Sequence, residues 1–168
     1  MSPLIAYFWP CAAAGAVMGA VTFTYVYRRK LVDRPKWTAI TSGLGLAWIG
    51  TALWSGPLGG AEKFIRTVER MAGEALQYYE MTQVHASLGR APLTRQLLLS
   101  GPADDLQRSE MVRLFSQIPG VSKATFTAQS AVPLVLEAFG VALAGFLVGA
   151  FLAYLLEAHR RYNAQWSW

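Results

Sequence analysis

Cysteine and histidine, which build most disulfides and metal sites, are almost missing from this 168-residue chain. Its one cysteine, Cys11, has no second cysteine to bond with, which excludes an internal disulfide. The two histidines and the lack of a dense carboxylate cluster leave no pattern for a zinc site, and no nucleophile has a base in evident reach. The sequence therefore predicts a protein that is not an enzyme and has no catalytic metal or cofactor.

Charge is missing from three long stretches. Residues 1–27 and 37–61 contain no Asp, Glu, Lys or Arg, and residues 124–156 contain only Glu137. A helix rises about 1.5 Å per residue, so roughly 20 apolar residues cross the hydrocarbon core of about 30 Å. Each stretch exceeds this length, which predicts three transmembrane helices.

Lys and Arg are concentrated at two places beside these predicted spans. One is the turn after the first span, with Arg28, Arg29, Lys30, Arg34 and Lys36. The other follows the third span, with Arg160 and Arg161. Basic residues in short flanking segments are retained in the cytoplasm, and three successive crossings put both places on one side. We therefore expect a bacterial inner-membrane protein whose amino terminus is periplasmic and whose carboxy terminus is cytoplasmic.

Tryptophans lie near the expected membrane borders, where the headgroup zone suits an amphipathic ring. They are Trp9, Trp37, Trp54, Trp166 and Trp168. The basic residues beside the spans favour anionic phospholipids by about 1 kcal/mol each. The formal charge of +5 thus reflects mainly the cytoplasmic edges. Phospholipid contacts are expected and nucleic-acid binding is not, because the segment between the second and third spans has no basic face interleaved with aromatics.

That middle segment, residues 59–129, has the pattern of a small α+β domain. Apolar residues recur at helical spacing first, and strand-like alternation and a second amphipathic helix follow. The expected buried stripe of the second helix comprises Leu106, Met111, Leu114, Phe115 and Ile118. The predicted elements are a helix over 62–79, strands over 82–88 and 93–100, a helix from about 103, and a strand over 121–127.

Two short runs in this segment carry a family resemblance. The first is Leu97-Leu98-Leu99-Ser100-Gly101-Pro102-Ala103, and the second is Ile118-Pro119-Gly120-Val121. With the order helix, strand, strand, helix, strand, and with turns at Gly101, Pro119 and Gly120, residues 62–127 resemble the BON domain. That resemblance implies a non-catalytic role in binding phospholipid surfaces or partners in the cell envelope.

Small residues recur at a spacing of four in the predicted spans, which lets helix backbones approach closely in lipid. The pairs are Gly15 and Gly19, Gly43 and Ala47, and Gly145 and Gly149. Two interpretations remain: the three spans pack on one another, or these faces bind another membrane protein.

Glu137 is the one acidic or basic residue within a predicted span. Such a residue usually reaches a partner, a cavity or the interface, because charge in lipid is costly. Glu137 lies within two helical turns of the outer end. Contact with headgroups or water and contact with a partner protein therefore both remain as interpretations.

The sequence predicts a membrane all-α protein of three transmembrane helices plus a small extracytoplasmic αββαβ domain. Its divisions are residues 1–58, 59–129 and 130–168. The favoured function is an accessory or scaffold subunit of a larger integral membrane protein complex, with room for a bound lipid or pigment at subunit contacts. The alternatives are a free-standing envelope sensor or phospholipid-binding protein and, less favoured, a transporter component.

Overall fold

The computed structural model describes residues 2–81, 83–90, 92–127 and 129–165, except for the side chain of residue 165. These residues are mostly helical and include one small sheet. The helices are α1 (Pro3–Arg29), α2 (Arg34–Ser55), α3 (Gly60–Tyr78), α4 (Asp105–Phe115) and α5 (Leu134–Gln165). The strands are β1 (His85–Arg90), β2 (Leu93–Ser100) and β3 (Lys123–Thr125). The predicted order helix, strand, strand, helix, strand is confirmed for the middle segment.

Two helices, α1 and α5, are long and apolar enough to cross a membrane, with hydropathy values of 1.7 and 2.2. The sequence predicted three such helices. Helix α2 has 22 residues, which is long enough, but it is less apolar. The reason is its composition, since Trp, Thr, Ser and Gly alternate with its aliphatic residues.

The chain forms two compact units. The first, called the mixed unit below, comprises Met1–Tyr7 and Gly59–Glu137. The second, called the helical unit, comprises Phe8–Leu58 and Ala138–Trp168. Helices α1 and α5 each contribute to both units, whereas the sequence-based divisions assigned residues 1–7 and 130–137 to the transmembrane parts.

The sheet of the mixed unit has the order β1-β2-β3, with β1 antiparallel and β3 parallel to β2. Strand β2 has its predicted bounds. Strand β1 begins three residues later than predicted, and position 82 lies outside the described residues. It extends to Arg90, past its predicted end at Leu88, because a register shift between Leu88 and Arg90 lets Arg90 pair with Leu93.

Strand β3 covers only the centre of the predicted strand over 121–127. Its residues pair with Gln96, Leu97 and Leu98 of β2. The pairing ends where the Thr125 hydroxyl accepts a hydrogen bond from the Thr127 backbone N–H (3.2 Å) and donates one to the Thr127 carbonyl (3.0 Å). A local side-chain turn therefore replaces the ladder.

The core of the mixed unit lies between its helices and the sheet. It includes Phe64, Val68, Ala72, Leu76, Leu88, Leu97, Leu99, Met111, Phe115 and Ala124. One predicted core position is wrong. Leu106 is 79% exposed, because it precedes Met111 by five residues and so lies about 140° around α4 from it. Tyr79, the last residue of the predicted first helix, is 44% exposed, because α3 ends one residue before it.

Candidate functional site

Helices α1 and α5 of the helical unit approach each other closely. A Cβ atom built on Gly15 would overlap the carbonyl oxygen of Ala142 and lie 2.9 Å from its carbonyl carbon. One built on Gly19 would meet the Phe146 carbonyl group in the same way, 2.9 Å from the carbon. Side chains larger than hydrogen therefore do not fit at either position.

The same contact seen from α5 also requires glycine. A Cβ on Gly145 would lie 3.1 Å from the carbonyl carbon of Ala12, and one on Gly149 would lie 2.8 Å from that of Ala16. Backbones at this distance leave no room for a helix of another protein on the same face. The structure thus uses both predicted glycine pairs for packing within the chain.

Helix α2 packs through its own small-residue face. A Cβ on Gly43 would lie 3.1 Å from the Cβ of Thr22 in α1. Ala47 is 1% exposed and Thr51 is fully buried, with the Thr51 hydroxyl donating to the Ala47 carbonyl at 2.9 Å. The Thr51 side chain also hydrogen-bonds the Cys11 side chain of α1, so the predicted Gly43 and Ala47 face is occupied within the chain.

The outward surfaces of these helices carry the large apolar side chains. In the most apolar 18-residue stretches of α1 and α5, only 22% and 28% of the residues, respectively, are buried. Exposed residues include Trp9, Val17, Val21, Leu46, Ile49, Leu53, Leu147, Val148, Phe151 and Leu156. Proteins stable in water rarely expose contiguous apolar patches of this extent. Small residues inside and bulky apolar residues outside are the arrangement expected of helices in lipid.

The tryptophans predicted to lie at the membrane borders differ in exposure. Trp9 and Trp37 are 70% and 65% exposed, and Trp54 is half-buried. Trp166 and Trp168 lie outside the described residues. Tyr7, two residues before Trp9, is 2% exposed and packs in the mixed unit, with its ring centroid 5.6 Å from that of Phe64.

The predicted cytoplasmic basic residues all lie at helix ends and are exposed. Arg28 and Arg29 end α1, Lys30 follows it, and Arg34 and Lys36 lie in the first turn of α2. Near the end of α5, Arg161 pairs with Glu157 at 2.9 Å, and Arg160 lies beside it. Their positions at helix ends are compatible with the predicted headgroup contacts.

Glu137 has an ion-pair partner that sequence reasoning missed. Its Oε2 atom accepts a hydrogen bond from Arg95 Nη1 at 3.0 Å, and the two side chains are 27% and 21% exposed. Arg95 Nε also donates to the Gly120 carbonyl at 3.1 Å. Arg95 therefore ties β2 to the turn before β3 and to the first turn of α5, all within the mixed unit. Glu137 needs neither a headgroup nor another protein to satisfy its charge.

The two glycines of the BON-like turns occupy positions that suit glycine alone. Gly120 has φ of 109°, and a Cβ there would lie 2.9 Å from Val68 Cγ2. Gly101 has φ of 149°, and a Cβ there would lie 2.9 Å from Val84 Cα. Pro119, the third predicted turn residue, is exposed. These positions are explained by backbone conformation and close packing.

Glu69 of α3 makes a second contact between remote residues that no sequence pattern indicates. Its Oε1 atom accepts hydrogen bonds from the Leu88 backbone N–H at 3.1 Å and from Arg90 Nη2 at 3.2 Å. The carboxylate therefore fixes α3 against the irregular end of β1. Its role is structural, since both donors belong to the same unit.

No group of three or more His, Cys, Asp or Glu side chains that is able to hold a metal ion occurs in the described part of the chain. The chain matches no protein-family model, and no curated protein or solved structure shows significant similarity to it. The resemblance to the BON domain therefore remains a prediction that rests on the two turn motifs and the order of elements.

Proposed function

We propose that this chain is a non-catalytic accessory or scaffold subunit of the bacterial inner membrane, with its helical unit in the bilayer and its mixed unit in the periplasm. The observation that carries the proposal is the distribution of side chains in the helical unit. Most buried residues of the helical unit are glycine, alanine, serine or threonine, with Val26 and Phe146 as larger exceptions, and most of its bulky apolar residues face outward. This is the reverse of a core built in water and suits lipid or an apolar partner outside.

The lengths of the helices within the helical unit support this placement. Residues 8–27 of α1 and 138–156 of α5 are free of charged side chains. At about 1.5 Å per residue they span roughly 30 Å and 28 Å, close to the thickness of the hydrocarbon core. Charged residues begin immediately after the two segments, at Arg28 and Glu157, and Glu137 immediately precedes the α5 segment.

Helix α2 is proposed as a third span despite its lower hydropathy. Residues 37–55 carry no charge, and Trp37, Leu46, Ile49 and Leu53 are exposed on it. In water these side chains would be an unfavourable surface, whereas lipid accommodates them. A third crossing also places the basic ends of α1 and α5 on the same, cytoplasmic side, as the charge distribution favours.

A scaffold role is favoured over transport. Transport through the helices would need charged or polar groups along a path, and residues 8–27, 37–58 and 138–156 contain no Asp, Glu, Lys or Arg. Glu137 lies in the mixed unit and is paired with Arg95. Its replacement by Gln is therefore expected to leave any transport in the cell unchanged.

Docking to a larger complex is supported by glycines that the chain itself does not use. A Cβ on Gly45 or Gly50 of α2, or on Gly140 of α5, would have no heavy atom within 4 Å. Open glycines beside bulky apolar residues give a helix of another protein a place for close approach. The BON-like mixed unit would then contact a periplasmic part of the same assembly or the lipid surface.

Mild detergent extraction followed by native mass measurement tests the subunit proposal. The chain is expected in a species well above its own 18.4 kDa, together with an integral membrane partner. A Gly45→Leu/Gly50→Leu variant is expected to keep the fold and lose that partner. A lone chain of 18.4 kDa would instead support a free-standing envelope sensor or lipid-binding protein.

A further inference from the structure

The last turns of α1 and α5 line a partly open cavity of about 380 Å³ within the helical unit. Helix α1 contributes Tyr27 and Arg28 to its wall, and α5 contributes Leu156, His159, Arg160 and Asn163. The cavity thus lies where the uncharged parts of both helices end. Under the membrane placement proposed above, this level corresponds to the cytoplasmic headgroups.

The charge of the cavity wall is positive. Arg28 and Arg160 form no ion pair within the described part of the chain, whereas Glu157, the acidic residue of the wall, is engaged by Arg161 at 2.9 Å. His159 Nε2 lies 3.0 Å from Asn163 Nδ2, so the amide is placed beside the ring. Two guanidinium groups with free donors suit an oxyanion of a phosphate, because their planar forks donate paired hydrogen bonds to it.

A mainly apolar groove on α1 borders the cavity. This groove, of about 500 Å³, is lined by Ala20, Val21, Tyr25 and Arg29 and shares Thr24 and Arg28 with the cavity. An inorganic anion would use only the basic end. A phospholipid would use both, with its phosphate at the arginines and an acyl chain along Ala20 and Val21.

We infer that this cavity and groove form a binding site for an anionic phospholipid of the cytoplasmic leaflet, with Arg28 and Arg160 holding the phosphodiester. The occupant is argued from the joined basic and apolar walls, since basic pockets between transmembrane helices favour acidic headgroups. The inference rests on the proposed membrane placement. It adds a specific site to the general attraction between basic helix ends and lipid.

The test uses the full chain, exchanged into nanodiscs of equal parts phosphatidylglycerol and phosphatidylcholine, released into mild detergent and weighed by native mass spectrometry. The wild-type chain is expected to retain one phosphatidylglycerol in preference to phosphatidylcholine. Arg28→Gln/Arg160→Gln is expected to retain it at least about tenfold less, since each lost charged hydrogen-bond donor weakens binding several-fold or more. Arg34→Gln/Lys36→Gln removes the same charge from the same side but lies outside the cavity, and it is expected to behave as the wild type.

A second variant and a phosphate control keep the inference falsifiable. Thr24→Trp adds bulk at a half-buried position shared by the cavity and the groove without changing their charge, and it is expected to lose the bound lipid as well. Inorganic phosphate at 10 mM, roughly physiological strength, is expected to leave the lipid in place, because an acyl chain adds apolar contact. Equal retention in the cavity and control variants, or full displacement by phosphate, would overturn the lipid site. Recovery of the chain in the aqueous fraction without detergent would overturn the membrane placement instead.

Discussion

The Arg95 side chain joins three segments of the mixed unit that are distant in sequence. It lies in the central strand, β2, and its guanidinium reaches the Gly120 carbonyl and the Glu137 carboxylate. Both partners are remote in sequence, at separations of 25 and 42 residues. Loss of this side chain would leave a partly buried carboxylate and a turn carbonyl without their donor.

Replacement of Arg95 by Met is therefore expected to destabilise the mixed unit by about 1–3 kcal/mol, the usual cost of removing a charged hydrogen-bond donor. Arg113→Met is the matched control, because its pair with Glu110 is 70% and 53% exposed and should contribute less than about 0.5 kcal/mol. Thermal unfolding in detergent, followed by near-ultraviolet circular dichroism, measures both. Equal melting temperatures for the two variants would show that the Arg95 contacts contribute little.

The substitution of glycine by alanine is expected to have opposite effects on stability at Gly120, in a turn, and at Gly73, inside a helix. Gly120→Ala forces a Cβ into a positive-φ position 2.9 Å from Val68 Cγ2, and we expect a loss of about 1–3 kcal/mol. Gly73 lies inside α3 with open space at its Cβ, so Gly73→Ala should add about 0.5–1 kcal/mol. Chemical denaturation of both variants gives the sign of each effect, and a neutral Gly120→Ala would contradict the described turn.

The contact between α1 and α5 depends on glycines that let the two helix backbones lie close together. Gly149→Leu places a branched side chain against the Ala16 carbonyl and the Ala20 backbone nitrogen, so we expect the helices to separate at a cost of at least about 1–3 kcal/mol. Gly140→Leu adds the same side chain to the same helix where nothing lies within 4 Å, and its stability should be unchanged. Melting temperatures in one detergent measure both, and equal losses would indicate a general effect of bulk in α5.

The bounds of an element were predictable from the sequence where Pro or Gly lies beside both of its ends, and they were not where such residues are missing. Strand β2 begins after Pro92 and ends before Gly101, so both limits are visible. The apolar–polar alternation that predicted β1 begins at residue 82, before the paired strand starts at His85. The register shift after Leu88 has no sequence pattern that would indicate it. The ion pair between Arg95 and Glu137 escaped prediction for another reason. The two residues are separated by 42 positions in the sequence. Considered without Arg95, Glu137 was interpreted as contacting headgroups, water or a partner protein.

At the scale of the whole molecule, the orientation rests on where charge is absent and where it is basic. The helical unit is uncharged between its ends, and its basic residues lie after α1, at the start of α2 and near the end of α5. The proposed arrangement therefore puts residue 34 in the cytoplasm and the exposed residue Ser130 in the periplasm.

Labelling of single cysteines tests this orientation directly. Cys11 is 1% exposed and is the one native cysteine, so Cys11→Ser provides a background without thiols. Added to that background, Ser130→Cys is expected to react with a membrane-impermeant maleimide in intact spheroplasts. Arg34→Cys is expected to react only after the membrane is permeabilised, because the bilayer separates it from the reagent. Labelling of Arg34→Cys but not Ser130→Cys in intact spheroplasts would reverse the orientation, and labelling of both would mean that the chain does not cross the membrane between them.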